Sequence, residues 1–181
     1  MEITLGVALK GLRLPMSGAL LASLAMIIAL SGRHFVPRRG TILLMGGVAA
    51  LLKIYSLGTV IAGPFFAILI ESLIAEIFCT LFGVTRFGYF LSGAAVVSYT
   101  VLHPFLTQGL LFGGRVYEVY WATGQQLARW IHLEVAHFAV VLSLYLLVHL
   151  LIGGAAGLFA FKLAGAAQAE LKKMEQSHEA I

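Results

Sequence analysis

The sequence predicts an all-α integral membrane protein, a compact bundle of about six transmembrane helices, with five as the alternative. Of its 181 residues, 60% are hydrophobic and only 11% are charged, and the mean hydropathy is +0.97. About a quarter of the residues of a soluble globular domain are charged, so a soluble fold is excluded. Because one span needs about 20 apolar residues, the chain has room for one membrane domain over residues 1–181.

The first half of the chain contains three apolar runs, each of which predicts a helix. The first run covers residues 15–30 and ends in the polar segment 31–40. The second covers residues 41–54. The third covers residues 59–82, after a short break that contains Gly58.

The second half contains two further apolar runs. Residues 87–112 form the fourth, and Gly113 and Gly114 follow it. The last run, residues 131–163, is too long for one span and short for two spans with a loop. It is followed by a polar tail, residues 168–181, which is rich in Lys and Glu.

A semi-polar, aromatic segment separates these two runs. Tyr117, Tyr120, Trp121 and Trp130 fall between residues 115 and 130. Tyr and Trp favour the membrane interface, where the apolar ring and its polar group are both satisfied. The segment is therefore predicted to be a short fifth helix or an interfacial segment, followed by one long final helix.

The basic residues do not orient a six-span chain. One side takes seven of them, Lys10, Arg13, Lys53, Arg115, Lys162, Lys172 and Lys173. The other side takes five, Arg33, Arg38, Arg39, Arg86 and Arg129. A difference of seven basic residues against five is too small to orient the chain by the positive-inside rule. The polar tail favours a cytoplasmic side for both termini, and the expected location is the cytoplasmic (inner) membrane with several passes. No basic block points to nucleic acid as a partner.

The first helix carries a face of small residues. Gly18, Ala22, Ala25 and Ala29 are spaced by four, three and four positions, which places them on one side of a helix. In lipid, small residues let two helix backbones approach closely. Two interpretations stay open, namely docking to a separate membrane partner and packing within the same chain.

Two carboxylates interrupt the third apolar run. A charge at mid-membrane costs at least roughly 2.5 kcal/mol, so Glu71 and Glu76 are expected to face a cavity or a partner. Their spacing of five residues places them about 140° apart on a helix, which predicts separate sites. For Glu71, a structural hydrogen bond to a neighbouring helix or a position near the membrane edge stays open as the alternative. Cys79, the single cysteine, lies in the same run and is expected to be a buried thiol.

The fourth helix begins a predicted polar and aromatic pocket. Tyr99 and His103 are four residues apart and share a helix face, while Pro104 frees a backbone carbonyl nearby. Together with these two, the predicted substrate-binding residues are Gln108, Tyr120, Trp121, Trp130, Glu134 and His137. Such a mixture of rings and polar groups is typical of a small-molecule site.

The histidines leave a second possibility open. A haem-binding electron carrier would use His103 with His137 or His149 as ligands. No HExxH motif and no Cys and His cluster supports a metal site. No catalytic motif and no phosphate-binding loop occurs either. The chain is therefore not expected to be an enzyme or to hold a resident cofactor, and ATP energy would have to come from another subunit.

The chain resembles the substrate-binding S components of energy-coupling factor (ECF) vitamin transporters. The resemblance lies in the length, in the predicted six spans and in the small-residue first helix. It also lies in the stretches LHPFLTQGLLFGGRVYEVY, residues 102–120, and VHLLIGGAAGLFAFKLA, residues 148–164.

The resemblance implies a membrane subunit that binds a vitamin or a similar small molecule for uptake. It implies a cytoplasmic N-terminus, a first helix that docks on a coupling membrane subunit, and two cytoplasmic ATPases as further partners. The pocket would open outward beneath a lid formed by residues 31–40. For a cobalamin-specific member, Cys79 would be a candidate cobalt ligand. A structural or assembly subunit of a larger membrane complex is a third possible function.

Overall fold

The structure is a computed structural model, and it describes residues 17–57, 62–115, 118 and 135–179. This part of the chain is all-helical. Its helices are α1 (Ser17–Phe35), α2 (Thr41–Leu57), α3 (Ala62–Phe82), α4 (Arg86–Phe112) and α5 (Val135–Glu179). Three of them, α1, α3 and α5, contain stretches long and apolar enough to cross a membrane, while the apolar part of α2 is shorter.

The predicted all-α class is confirmed in the described residues, whereas the count of six helices is not. The predicted fifth element, residues 115–130, falls almost entirely outside the described residues. The predicted polar tail continues α5, which is one helix of 45 residues that runs on to Glu179. A helix of this length extends about 67 Å, well beyond a hydrocarbon layer of about 30 Å.

Glycines bring α4 and α5 into close, antiparallel contact. Gly93 lies against Gly153, and Gly157 lies against the backbone of Tyr89. A Cβ atom added to Gly153 would collide with the carbonyl oxygen of Gly93. Small residues at a crossing let backbones pack directly, and here they keep α5 continuous through Gly153 and Gly154.

Contacts between helix ends define what is here called the basic end of the bundle. The Glu76 carboxylate of α3 bonds to the start of α2, and Arg33 near the end of α1 pairs with it. The Arg86 guanidinium at the start of α4 lies 6.0 Å from the ring centre of Phe161. One end of the bundle therefore brings together the last turn of α1, the first turns of α2 and α4, and the later part of α5.

Most of the described basic side chains lie at or beyond the basic end. They are Arg33, Arg38, Arg39, Arg86, Lys162, Lys172 and Lys173. In the part of the chain that the structure describes, the opposite end carries only Lys53 and Arg115. The six-span grouping, which put Lys162, Lys172 and Lys173 with Lys53, is therefore wrong. The reason is that α5 starts at the end where α4 stops and runs back to the basic end.

The core lies in the half of the bundle nearer the basic end. Its fully buried members include Leu30, Ile42, Tyr89, Val96 and Ala160. The outward faces are also apolar, and Ile28, Leu44 and Leu81 are among the most exposed large side chains. A bundle with an apolar interior and an apolar exterior fits a lipid environment rather than water.

Candidate functional site

A tyrosine and a histidine form a hydrogen-bonded pair that extends from the middle of α4 toward the end of the bundle opposite the basic end. The Tyr99 hydroxyl lies 3.1 Å from His103 Nδ1, and the two ring centres are 5.5 Å apart. Tyr99 is buried and His103 is half-buried. The spacing of four residues explains the contact, because it places both rings on one face of α4.

A carboxylate on a second helix lies within electrostatic range of the tyrosine of this pair. Glu71, half-buried on α3, interacts electrostatically with the Tyr99 hydroxyl. Two helices thus supply a phenol, an imidazole and a carboxylate to one region. These groups can donate and accept hydrogen bonds and carry a negative charge, which is the chemistry needed to orient a polar small molecule.

Two more polar side chains lie near this pair. The Ser98 hydroxyl is buried and has no hydrogen-bond partner in the protein. His149 on α5 is buried, and its Nδ1 lies 2.8 Å from the carbonyl oxygen of Tyr145. Because a carbonyl only accepts, His149 Nδ1 is the donor of this hydrogen bond. Nothing in the sequence marks Ser98 as a site residue, since an isolated serine in an apolar run is common.

The other predicted substrate-binding residues have no described side chains. Gln108 and His137 lie in α4 and α5, but their side chains are outside the described part. The same applies to four residues that are not described at all, Tyr120, Trp121, Trp130 and Glu134. Tyr99 and His103 are thus the predicted ligand residues whose geometry is known, and the role of the whole set stays a prediction.

The second membrane carboxylate has a different environment. Glu76 is buried, and its two oxygens accept hydrogen bonds from the backbone N–H groups of Gly40, at 2.7 Å, and Ile42, at 2.9 Å. Gly40, with φ +89°, has no side chain that could cap α2. Glu76 supplies the missing N-terminal cap from α3, where a negative charge also complements the helix dipole.

Arg33 completes this cluster, and the sequence interpretation missed it. Its guanidinium is buried, with Nη1 3.4 Å from a Glu76 oxygen. The sequence placed Arg33 in a polar turn, whereas α1 continues to Phe35 and carries the side chain inward. The predicted helix ended at residue 30, whereas α1 has 19 residues and ends at Phe35. Arg33 was missed because the helix was predicted to end too early. Glu76 and Arg33 together join α1, α2 and α3 at the basic end.

The small-residue face of α1 is divided between the interior and the outside. Ala22 is buried in a cluster with Ala19 and Val97. Gly18 and Ala25 are exposed, and Ala29 is half-buried against the core. Part of the face therefore packs within the chain, and docking through the exposed part stays a prediction.

Cys79 lies in the core rather than beside Tyr99. Its sulfur is 3.2 Å from the hydroxyl of Ser92, and the side chain is buried. Among the described residues, no group of three or more His, Cys, Asp or Glu side chains is arranged to hold a metal ion.

No protein-family model, curated protein or solved structure matches the chain. Inferences about its function therefore rest on the residues described above.

Proposed function

We propose that the protein is a membrane-embedded binding subunit for uptake of a vitamin or similar small polar molecule. The observation that carries the proposal is the hydrogen-bonded pair of Tyr99 and His103 on α4, within electrostatic range of Glu71 on α3. Polar groups in an apolar bundle cost free energy, and they recur where a substrate binds. This arrangement also agrees with the resemblance to ECF S components, which implies a coupling membrane subunit and two ATPases as the energy source.

The distribution of charge supports an outward-facing pocket. Seven described basic residues lie at or beyond the basic end and two lie at the opposite end, so the positive-inside rule makes the basic end cytoplasmic. Tyr99 is the central residue of α4, and His103 lies four residues nearer the opposite end, which then faces outward. A substrate captured from outside the cell would reach this half first.

This orientation differs from the one that the resemblance implies. Residues 36–40 lie at the basic end, so they would be cytoplasmic and would not cover the pocket. The first residue of α1, Ser17, would be on the outer side. The proposed binding function therefore depends on α3 and α4 and needs no lid from residues 31–40.

Ligand binding is tested with purified full-length protein and a panel of water-soluble vitamins. The only two tryptophans, Trp121 and Trp130, are both predicted pocket residues, so intrinsic fluorescence is a direct readout. We expect one compound to bind, and His103→Gln to weaken it about tenfold through one lost hydrogen bond. His34→Gln is the matched control, because His34 bonds to Gln168 at the basic end.

Three results would argue against the proposal. One is the absence of binding by any compound, together with no stoichiometric small molecule in native mass spectrometry. Another is an equal loss of affinity in His103→Gln and His34→Gln. A Soret absorption band in the purified protein would instead support the haem-binding electron carrier.

Orientation is tested with single cysteines in a Cys79→Ser background. Val36 at the basic end and Gly114 at the opposite end are both exposed. We expect a membrane-impermeant maleimide to label Gly114→Cys in intact cells, and to label Val36→Cys only after the membrane is opened. The reverse labelling pattern would contradict a cytoplasmic basic end.

A further inference from the structure

The last part of α5 extends beyond the rest of the described bundle. Among the described residues, the last hydrogen bond from α5 to another helix joins Gln168 to His34 in the final turn of α1, at 3.1 Å. Residues 169–179, here called the α5 extension, continue as helix for about another 16 Å. Side chains 169–177 are exposed, so no other described segment covers them.

One face of the extension is apolar and continues the face that α5 buries in the bundle. Within the bundle this face includes Ala160 and Ala164, which are 0% and 1% exposed. The same spacing of three and four residues leads to Ala167, Leu171 and Met174, here called the extension stripe. Leu171 is 47% exposed and Met174 is 50% exposed.

On a straight α5 that crosses the membrane, the extension stripe lies beyond the lipid. The contact between Arg86 and Phe161 marks the level at which charged side chains leave the bundle. Leu171 lies about 15 Å beyond Phe161 along the helix, and Met174 lies about 20 Å beyond it. The headgroup layer on one side of a bilayer is only about 5 to 8 Å thick. The stripe therefore projects into water unless a protein covers it.

A second copy of the chain is not suited to cover the extension stripe. Two copies in one membrane would present their extensions in parallel, with Leu171 and Met174 in the shared seam. Glu170 and Glu175 lie on the two edges of the stripe, where edge residues of parallel helices face each other. Glutamate would then face glutamate, which is destabilising. The Glu170 pair with Lys173 is exposed at 3.2 Å, and such a pair contributes little.

We infer that the extension stripe is a docking site for a separate water-soluble protein. The partner presents an amphipathic helix whose apolar face covers Leu171 and Met174. Its edges carry Lys or Arg, which pair with Glu170 and Glu175. This surface lies on the side of the membrane opposite the predicted pocket, so its role is independent of the identity of the small molecule.

The test uses a photoreactive phenylalanine analogue placed singly in the full-length chain in its native cells. Positions Leu171 and Met174 report on the stripe, and Lys172 and Gln176 report on the back of the same helix. We expect one protein to crosslink from the stripe about tenfold more than from the back. Mass spectrometry of the crosslinked peptide should show an apolar helix with basic edges.

A charge-reversal variant distinguishes specific docking from nonspecific hydrophobic association. Glu170→Lys with Glu175→Lys is expected to lower the crosslink from Leu171 about fivefold, because two attractive pairs become repulsive. Lys172→Glu with Gln176→Glu, on the back of the helix, should leave it unchanged. Unaltered thermal unfolding in detergent shows that each variant still folds.

Four outcomes would overturn the inference. They are equal crosslinking from the stripe and the back, no crosslink at all, crosslinks to lipid alone, and crosslinks to a second copy of the chain. Two differently tagged copies expressed together identify the last outcome. Each of these results is distinct from a failure of vitamin binding, which is measured on purified protein.

Discussion

The two halves of the bundle use similar polar residues in different ways. At the basic end, Glu76 accepts hydrogen bonds from two backbone N–H groups and from Thr80, and it pairs with Arg33. In the other half, the Tyr99 and His103 pair lies beside Ser98, whose buried hydroxyl has no partner in the protein. The cluster at the basic end joins three helices through a carboxylate whose two oxygens are both bonded, whereas Tyr99 and His103 bond to each other within one helix.

Loss of the Glu76 charge is expected to have the largest effect on stability. Glu76→Gln leaves the Arg33 guanidinium buried without a counter-charge and weakens the cap on α2. Breaking a buried ion pair in this way costs about 3 to 5 kcal/mol of unfolding free energy. Reversible unfolding in mixed detergent micelles, monitored by circular dichroism, measures the loss.

Glu71→Gln is the matched control, since it changes the same atoms one and a half turns away on α3. We expect a loss of less than about 1 kcal/mol in unfolding free energy, because Glu71 is only half-buried and glutamine keeps most of its hydrogen-bonding capacity. Equal losses for the two variants would show that the halves of the bundle do not differ as described.

A methyl group in the glycine crossing is expected to have the next largest effect. Gly153→Ala places a Cβ against the backbone of Gly93, so α4 and α5 must move apart. Overpacking of this kind costs about 1 to 3 kcal/mol of unfolding free energy. The same unfolding measurement applies.

Gly165→Ala provides the control on the same helix, because nothing lies within 4 Å of a Cβ atom added there. Alanine favours helix over glycine by roughly 0.5 to 1 kcal/mol, so this variant should be as stable as the parent protein or slightly more stable. A loss of stability at Gly165 would mean that the close contact is not the cause at Gly153.

The sequence predicted the helical membrane class because hydropathy and chain length are local properties. It also predicted the contact between Tyr99 and His103, since residues four apart on a helix meet. It did not predict which helices end together. The grouping of Lys162 with Lys53 was wrong because it depended on a count of six spans, and apolar run lengths do not fix that count near residue 131.

The role of Glu76 also depends on tertiary contacts that the sequence did not predict. Its sequence neighbours are apolar, so periodicity marks it only as an expensive charge in a membrane. Its partners, Gly40 and Ile42, lie more than 30 residues away and are reached by tertiary packing. Gly40 did contain a clue, since a helix that starts after glycine lacks a capping side chain of its own.

Two tyrosines on α4 allow the smallest and most direct test of the comparison. The Tyr89 hydroxyl donates a 2.8 Å hydrogen bond to the carbonyl of Leu30 on α1, whereas the Tyr99 hydroxyl contacts only its neighbour His103 among the described bonds. Tyr89→Phe should therefore cost about 1 kcal/mol of unfolding free energy, because a bond between helices is lost. Tyr99→Phe should cost less.

The effects on ligand affinity should be reversed. Tyr99→Phe is expected to weaken binding of the compound found in the fluorescence assay about fivefold to tenfold, because it removes one hydrogen bond beside the predicted pocket. Tyr89→Phe should leave the affinity unchanged, since Tyr89 is buried in the core at the basic end. If both variants lost affinity in proportion to their loss of stability, the polar pair on α4 would be a packing feature rather than part of a binding site.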